Sequence, residues 1–352
     1  MGVSRDRSRL AVNRLLRKPV VWLPVSTVLL VFLVWRSHAV EAASSLTLVD
    51  PGPLIVAIAL NLVIMLLWAA RSADLLGAAG YPVGVIPLIP MTSFANTLNN
   101  LTPGSMGELV RLYLLRAHHA VDYATGGAVV LIERVVAIGY LAGSALVLWL
   151  GHVLGIPPLL QLIVLVALVA LPALAYELGI RPSALLAALP AGRFVGAGRW
   201  QGASAALRRL DSTVARLLTD PVRAGLFALL TGTVFATYTI QLMLVAVALG
   251  HPLDPVVAWS ALGLGITAGV VSLLPFGLGS TDLVVVGVLT ASGVGSIEAT
   301  AIALTYRLVS TLPLGLAGVA SYGFLSASLP ASGTGGAMTA ATQGLADIGG
   351  SP

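Results

Sequence analysis

Cysteine is absent from this chain. That excludes a disulfide framework, a thiolate nucleophile and any cysteine-ligated metal, and it leaves the compartment unreadable from redox chemistry. Charge is almost as scarce. Asp, Glu, Lys and Arg make up 9% of the residues, against roughly 25% in soluble domains. No stretch resembles a separate soluble catalytic domain. What is there instead is apolar: 57% of the chain, with a mean hydropathy of +0.97. This is enough for six or more spans of about 20 residues each. The fold class that follows is an all-α polytopic membrane protein.

The net charge of +5 does not point to nucleic acid, because 13 of the 19 basic residues sit in two short blocks. One is the N-terminus, with Arg5, Arg7, Arg9, Arg14, Arg17 and Lys18; the other is the loop 180–223, with Arg181, Arg193, Arg199, Arg208, Arg209, Arg216 and Arg223. Basic blocks beside apolar spans stay in the cytoplasm and can touch anionic lipid. A basic start and an apolar run over 20–35 also resemble a secretory signal. Arg36 ends that run and Glu41 crowds the cleavage position, so the expectation is an uncleaved first span.

Full spans are expected at 19–36, 53–70, 125–150, 158–178, 224–249 and 297–325. Two more apolar regions, 83–117 and 257–293, are interrupted by Pro87, Pro90 and Pro103 and by Pro275, Gly277 and Gly279. Proline removes a donor and clashes with the preceding turn, and such a break survives at membrane depth only where protein or a wet cavity satisfies the backbone. Both regions therefore read as re-entrant hairpins. With the N-terminus inside, 71–82 is an inner loop, every basic cluster is cytoplasmic, the C-terminus is inside, and the two hairpins enter from opposite faces. The expected organisation is a basic tail over 1–18, a membrane domain over 19–328 and a disordered Gly/Ala/Ser/Thr tail over 329–352. Repeat halves at 83–150 and 257–325 are expected to be inverted about an axis in the membrane plane. In the inner loop, 203–218 forms an amphipathic helix with Leu207, Leu210, Val214, Leu217 and Leu218 on one face; it either lies on the headgroups or packs on the bundle.

The two broken regions share a device. The first has Pro103-Gly104-Ser-Met-Gly107-Glu108 and then Arg134; the second has Pro275-Phe-Gly277-Leu-Gly279-Ser-Thr-Asp282 and then Arg307. Acid to arginine is 26 residues in the first (134 minus 108) and 25 in the second (307 minus 282). An arginine in mid-span costs at least ~2.5–3.5 kcal/mol on insertion scales, so it faces a partner or a cavity. Its planar fork suits a phosphate, but a carboxylate partner that only locks the fold explains it too. Glu108 and Asp282 each open a short helix, where an acid suits the dipole; each also stands ready to hold its arginine. Arg111 shares a helix face with Glu108, and Glu133 points away from its neighbour Arg134 toward Arg111 or the second hairpin. The break residues Pro103, Gly104, Gly107, Pro275, Gly277 and Gly279 either let backbone N–H groups converge on an anion or simply turn the chain. Asn96, Asn99, Asn100 and Thr102 line a polar path or satisfy freed carbonyls. His118-His119 has no ligand-spaced partners, so no metal site and no cofactor is expected.

At these residues the chain resembles the flippase-like membrane domain of lysylphosphatidylglycerol synthases. The resemblance runs over roughly 15–328 and rests on Asn99-Asn100-Leu-Thr-Pro103-Gly-Ser-Met-Gly107-Glu108-Leu-Val-Arg111 with Glu133-Arg134, and on Pro275-Phe-Gly277-Leu-Gly279-Ser-Thr-Asp282 with Tyr306-Arg307-Leu308. It implies two re-entrant segments and a central site lined by Glu108, Arg111, Glu133, Arg134, Asp282 and Arg307. It also implies movement of charged phospholipids between leaflets, or work in polyprenyl-linked pathways. No aminoacyltransferase segment accompanies these residues, so lipid aminoacylation is not expected. Asp282 stands where Glu is more usual, which shortens that carboxylate by one methylene. The expected function is an integral flippase of the cell (plasma) membrane for an anionic phospholipid or polyprenyl phosphate. The alternatives are an accessory subunit or enzyme of a lipid-modification pathway. The sequence is compatible with a homo-oligomer.

Overall fold

The computed structural model describes residues 50–102, 107–179, 197–272 and 279–328, with the isolated positions 181, 184, 274 and 277. The expected first span at 19–36, both tails, Arg193, Pro103, Gly104 and Pro275 lie outside these residues. Among the described residues there are ten helices and no strands: α1 Pro51–Ala78, α2 Val85–Leu101, α3 Gly107–His119, α4 Tyr123–Leu154, α5 Pro158–Glu177, α6 Ala197–Thr219, α7 Pro221–Ala248, α8 Pro255–Ser272, α9 Ser280–Ala291 and α10 Ser296–Ser328. Five are long and apolar enough to cross a membrane: α1, α4, α7, α8 and α10. The protein is an all-α, multi-pass membrane protein. The expected spans at 53–70, 125–150, 224–249 and 297–325 fall on α1, α4, α7 and α10, and 158–178 falls on α5. Each broken region is a pair of helices, α2 with α3 and α8 with α9. By length and apolarity α8 also qualifies as a span in its own right.

Helix starts follow their caps. Asp50, Asp122 and Asp220 each accept a backbone N–H of the first turn, at α1, α4 and α7, satisfying donors that a helix leaves open. Asp122 also accepts the Thr125 hydroxyl at 2.7 Å and the Tyr81 hydroxyl at 2.9 Å. Partial burial pushes this carboxyl up, but the hydrogen bonds from Thr125 and Tyr81 outweigh it and hold it below the ordinary carboxylate range. The cap fixes where α4 begins, and therefore where Glu133 and Arg134 emerge three turns later.

Among the described residues the apolar core has a small cluster at Ala137, Leu141 and Phe235 and two large blocks. One joins α7, α8, α9 and α10 around Leu242, Leu262, Leu289 and Ile302; the other joins α1 to α4 and α6 around Leu75, Leu88, Leu115 and Val129. The exposed faces are apolar too, as with Leu62, Val135, Leu159, Leu229 and Leu316, which is the composition expected where the solvent is lipid.

Side-chain hydrogen bonds tie the helices together. Pro313 interrupts α10 and has no N–H to give the carbonyl four residues earlier, at Val309. Asn61 of α1 donates to that carbonyl at 2.9 Å. Gln241 of α7 donates to the Ala57 carbonyl at 2.7 Å, and Trp259 of α8 donates to the Ser144 hydroxyl of α4 at 3.0 Å. Asn61→Leu should strand the Val309 carbonyl in an apolar setting and cost about 1–3 kcal/mol, read as a lowered thermal midpoint in detergent. Unchanged stability would mean that the carbonyl freed by Pro313 needs no partner.

Two expectations are settled by this packing. Helix α6 turns its apolar face to the protein: Leu210, Thr213 and Leu217 are buried, Leu207 and Val214 are half-buried, and Arg208, Arg209 and Arg216 face outward. Of the two readings of 203–218, packing on the bundle is the one observed. The inner loop expected at 71–82 is shorter than drawn, because α1 continues without a break through Arg71, Ser72 and Asp74 to Ala78. Nothing in Arg71-Ser-Ala-Asp-Leu-Leu stops a helix; the turn comes only at Gly80, whose φ is +94°.

Candidate functional site

Both broken regions deliver a carboxylate at the start of their second helix. Glu108 is the second residue of α3 and Asp282 the third of α9. Arginines from the following long helices meet them. Arg307 of α10 makes a two-pronged pair with Asp282, Nε to Oδ1 at 2.9 Å and Nη2 to Oδ2 at 2.8 Å. Arg134 of α4 donates to Glu108 Oε1 through Nε at 3.0 Å and through Nη2. The acids are held from behind as well. Asp282 Oδ2 accepts the N–H of Gly279 at 3.0 Å, and Glu108 Oε1 accepts the Asn99 amide at 2.9 Å, while the Glu108 N–H donates back to Asn99 Oδ1 at 3.1 Å. Cap and ion pair are therefore one arrangement rather than alternatives.

The second shared feature is close backbone approach. A Cβ on Gly107 would lie 1.9 Å from the Ala95 carbonyl oxygen, so only glycine lets α3 start this near α2. At the other break Gly277 has φ +57°, and a Cβ there would lie 2.5 Å from Thr281 Oγ1. Both glycines are structural requirements of the turns that aim the acids.

The two halves then differ. In the first, Arg111 forms a further pair with Glu133, Nη1 to Oε2 at 2.6 Å and Nη2 to Oε1 at 3.1 Å. Ser72 of α1 bridges the two, accepting from Arg111 Nη2 at 2.5 Å and donating to Glu133 Oε1 at 2.7 Å. Arg111 reaches Glu108 Oε2 more loosely, at 3.5 Å. Counting from the acid, Arg111 corresponds to Val285 (111 minus 108 equals 285 minus 282), and Glu133, beside its arginine, corresponds to Tyr306. The second half thus has an apolar residue and a phenol where the first has a buried ion pair.

All six charged residues singled out from the sequence face one cavity of about 330 Å³, with α1, α2, α7 and α8 completing its wall. Gly277 lines it too; Gly107 instead packs against Ala95 and Asn99, and Gly279 donates its N–H to Asp282. Asn96, Asn99, Asn100 and Thr102 line it from α2 and its end. The side chains differ in access: Arg134 is 36% exposed and Arg307 16%, while Arg111 and Glu133 are each 5% and Asp282 4%. Trp68, Arg71, Ser72 and Tyr238 also line the cavity and were not anticipated. For Arg71 and Ser72 a usable signal existed, the absence of any breaker before Gly77; for Trp68 and Tyr238, mid-span aromatics, there was none. His118 and His119 end α3, their rings 6.5 Å apart, outside this cavity.

Cavity and fold sit within a matched family. The chain belongs to the family described as the lysylphosphatidylglycerol synthase TM region, which matches residues 20–318. No curated protein matches the chain.

Proposed function

We propose that this member of the lysylphosphatidylglycerol synthase TM region family moves an anionic, phosphate-bearing lipid between leaflets, and that the cavity between the two broken regions is where the headgroup sits. The observation that supports this most is that two acid–arginine pairs, contributed by separate parts of the chain, face the same cavity with their arginines more exposed than the buried Arg111–Glu133 pair. An arginine fork that pairs with a carboxylate presents the same donors to a phosphate. Glu108 and Asp282 hold Arg134 and Arg307 while no ligand is present, and the lipid phosphate displaces them. The membrane domain over 19–328, inverted halves at 83–150 and 257–325 and cytoplasmic termini complete the proposal. In it, rocking of one half against the other exposes the site to each face in turn.

A scaffold of ion pairs and a phosphate site respond differently to exchange of charge. Asp282→Arg combined with Arg307→Asp keeps an ion pair of opposite sense and loses a helix cap worth about 1 kcal/mol. In proteoliposomes containing fluorescent phosphatidylglycerol, with flipping read by dithionite quenching, the exchanged protein should fold and not flip. Flipping at the wild-type rate would identify the charges as scaffold.

A further inference from the structure

The charges lining the cavity do not cancel. Arg71, Arg111, Arg134 and Arg307 face it against Glu108, Glu133 and Asp282, so four positive charges minus three negative leaves one. The pairing identifies the surplus. Arg111 is matched by Glu133, Arg134 by Glu108 and Arg307 by Asp282. Arg71 has no hydrogen bond or ion pair with any described residue, and its Nε is buried without a partner. Its charged surroundings are Glu133, already engaged by Arg111 and Ser72, together with Arg111 and Arg134, which repel it. Asp74, one turn further along α1, faces Arg223 and Asp220 instead. Arg71 stands 7 residues before the end of α1 (78 minus 71), or about 10 Å at 1.5 Å per residue. An uncompensated cation at this depth is costly and normally marks a ligand pathway. Its side chain lines the cavity, and none of its five hydrogen-bond donors is met by a described residue.

We infer that Arg71 is the anchor for the ligand's phosphate and that the cavity is matched to a single negative charge, that of a phosphodiester. A phosphodiester carries one charge at neutral pH, which the surplus of one neutralises. A phosphomonoester approaches two, one more than the surplus neutralises. Arg134, 36% exposed and in electrostatic reach of Arg71, is the donor that completes the contact once the lipid phosphate displaces Glu108. This inference rests on the proposed lipid site and refines it.

The test is binding to the full chain in nonionic detergent, with dihexanoyl phosphatidylglycerol as the phosphodiester probe, dihexanoyl phosphatidic acid as the phosphomonoester, and glycerol phosphate and inorganic phosphate as chain-free anions. Wild type should bind the phosphatidylglycerol probe more tightly than the phosphatidic acid probe, and both more tightly than the chain-free anions. Arg71→Gln should weaken phosphatidylglycerol binding at least about tenfold, the loss of one charge-assisted contact. Arg71→Lys, which keeps the charge and loses the fork, should fall between. Because Arg71 has no partner to lose, Arg71→Gln should melt no lower than wild type; a sharp fall would make it a structural residue and overturn the inference. Wild-type binding by Arg71→Gln would also overturn it, as would a preference for the phosphatidic acid probe. Failure of wild type itself to bind either lipid, or equal binding of inorganic phosphate, would strike the lipid site as a whole rather than Arg71.

Discussion

Glu133→Leu should destabilise the protein by about 3–5 kcal/mol, the cost of leaving one half of a buried ion pair uncompensated. Arg111 has no comparable alternative. Its guanidinium is 5% exposed, its link to Glu108 is 3.5 Å, and Glu108 is already shared with Arg134 and Asn99. Removing Glu133 also takes away a carboxylate whose charge favours that of Arg71. The second half of the chain shows how the same position is built without charge, with Val285 buried and Tyr306 half-buried. The double variant Arg111→Val with Glu133→Tyr copies that arrangement and should recover more than half of the loss, because replacing both members of a buried pair by apolar groups is often neutral. Thermal unfolding in detergent checks both. A double variant no more stable than Glu133→Leu would show that the two halves are not interchangeable at this position.

Arg134→Ala should abolish transport while leaving the fold almost untouched, and Arg307→Ala should impair both. The difference follows from what each arginine leaves behind. Glu108 keeps the Asn99 amide and the looser Arg111 contact when Arg134 is removed, and it is 15% exposed, so water completes its shell. Asp282 is 4% exposed and is left with the Gly279 N–H when Arg307 is removed. A charge-assisted hydrogen bond to a ligand phosphate is worth about 1.5–3 kcal/mol, which corresponds to roughly 10- to 150-fold in binding. Flip rates in proteoliposomes and melting temperatures, taken together, separate the two variants. Equal loss of stability in both would contradict the difference in burial.

Much of this site is legible in the sequence because membrane chains leave few places for charge. Glu108, Arg111, Glu133, Arg134, Asp282 and Arg307 stand out against apolar runs, and the spacing from acid to arginine repeats. All six line the same cavity. For the partner of Glu133 the sequence leaves two choices, since a helix period gives direction and not the neighbouring helix. Arg71 does not stand out, for a different reason. It lies at the end of an apolar run, where an arginine usually marks the water boundary, and hydropathy alone ends the span there. The continuing helix and the wall built by α2, α3 and α4 turn that boundary residue toward the cavity. The ties from Asn61 to Val309 and from Trp259 to Ser144 are long-range and have no local signature. Of α6, the pattern gave the face but not what covers it; the buried Leu210 and Leu217 belong to a core shared with α1 to α4.

The measurement that bears most directly on the cavity as a lipid-phosphate site is the flip rate of Arg134→Ala in proteoliposomes containing fluorescent phosphatidylglycerol, on protein whose melting temperature matches wild type. The account predicts a rate at least about tenfold below wild type. A wild-type rate from this folded variant would contradict it, because the more exposed arginine of the two acid–arginine pairs would then have no part in transport.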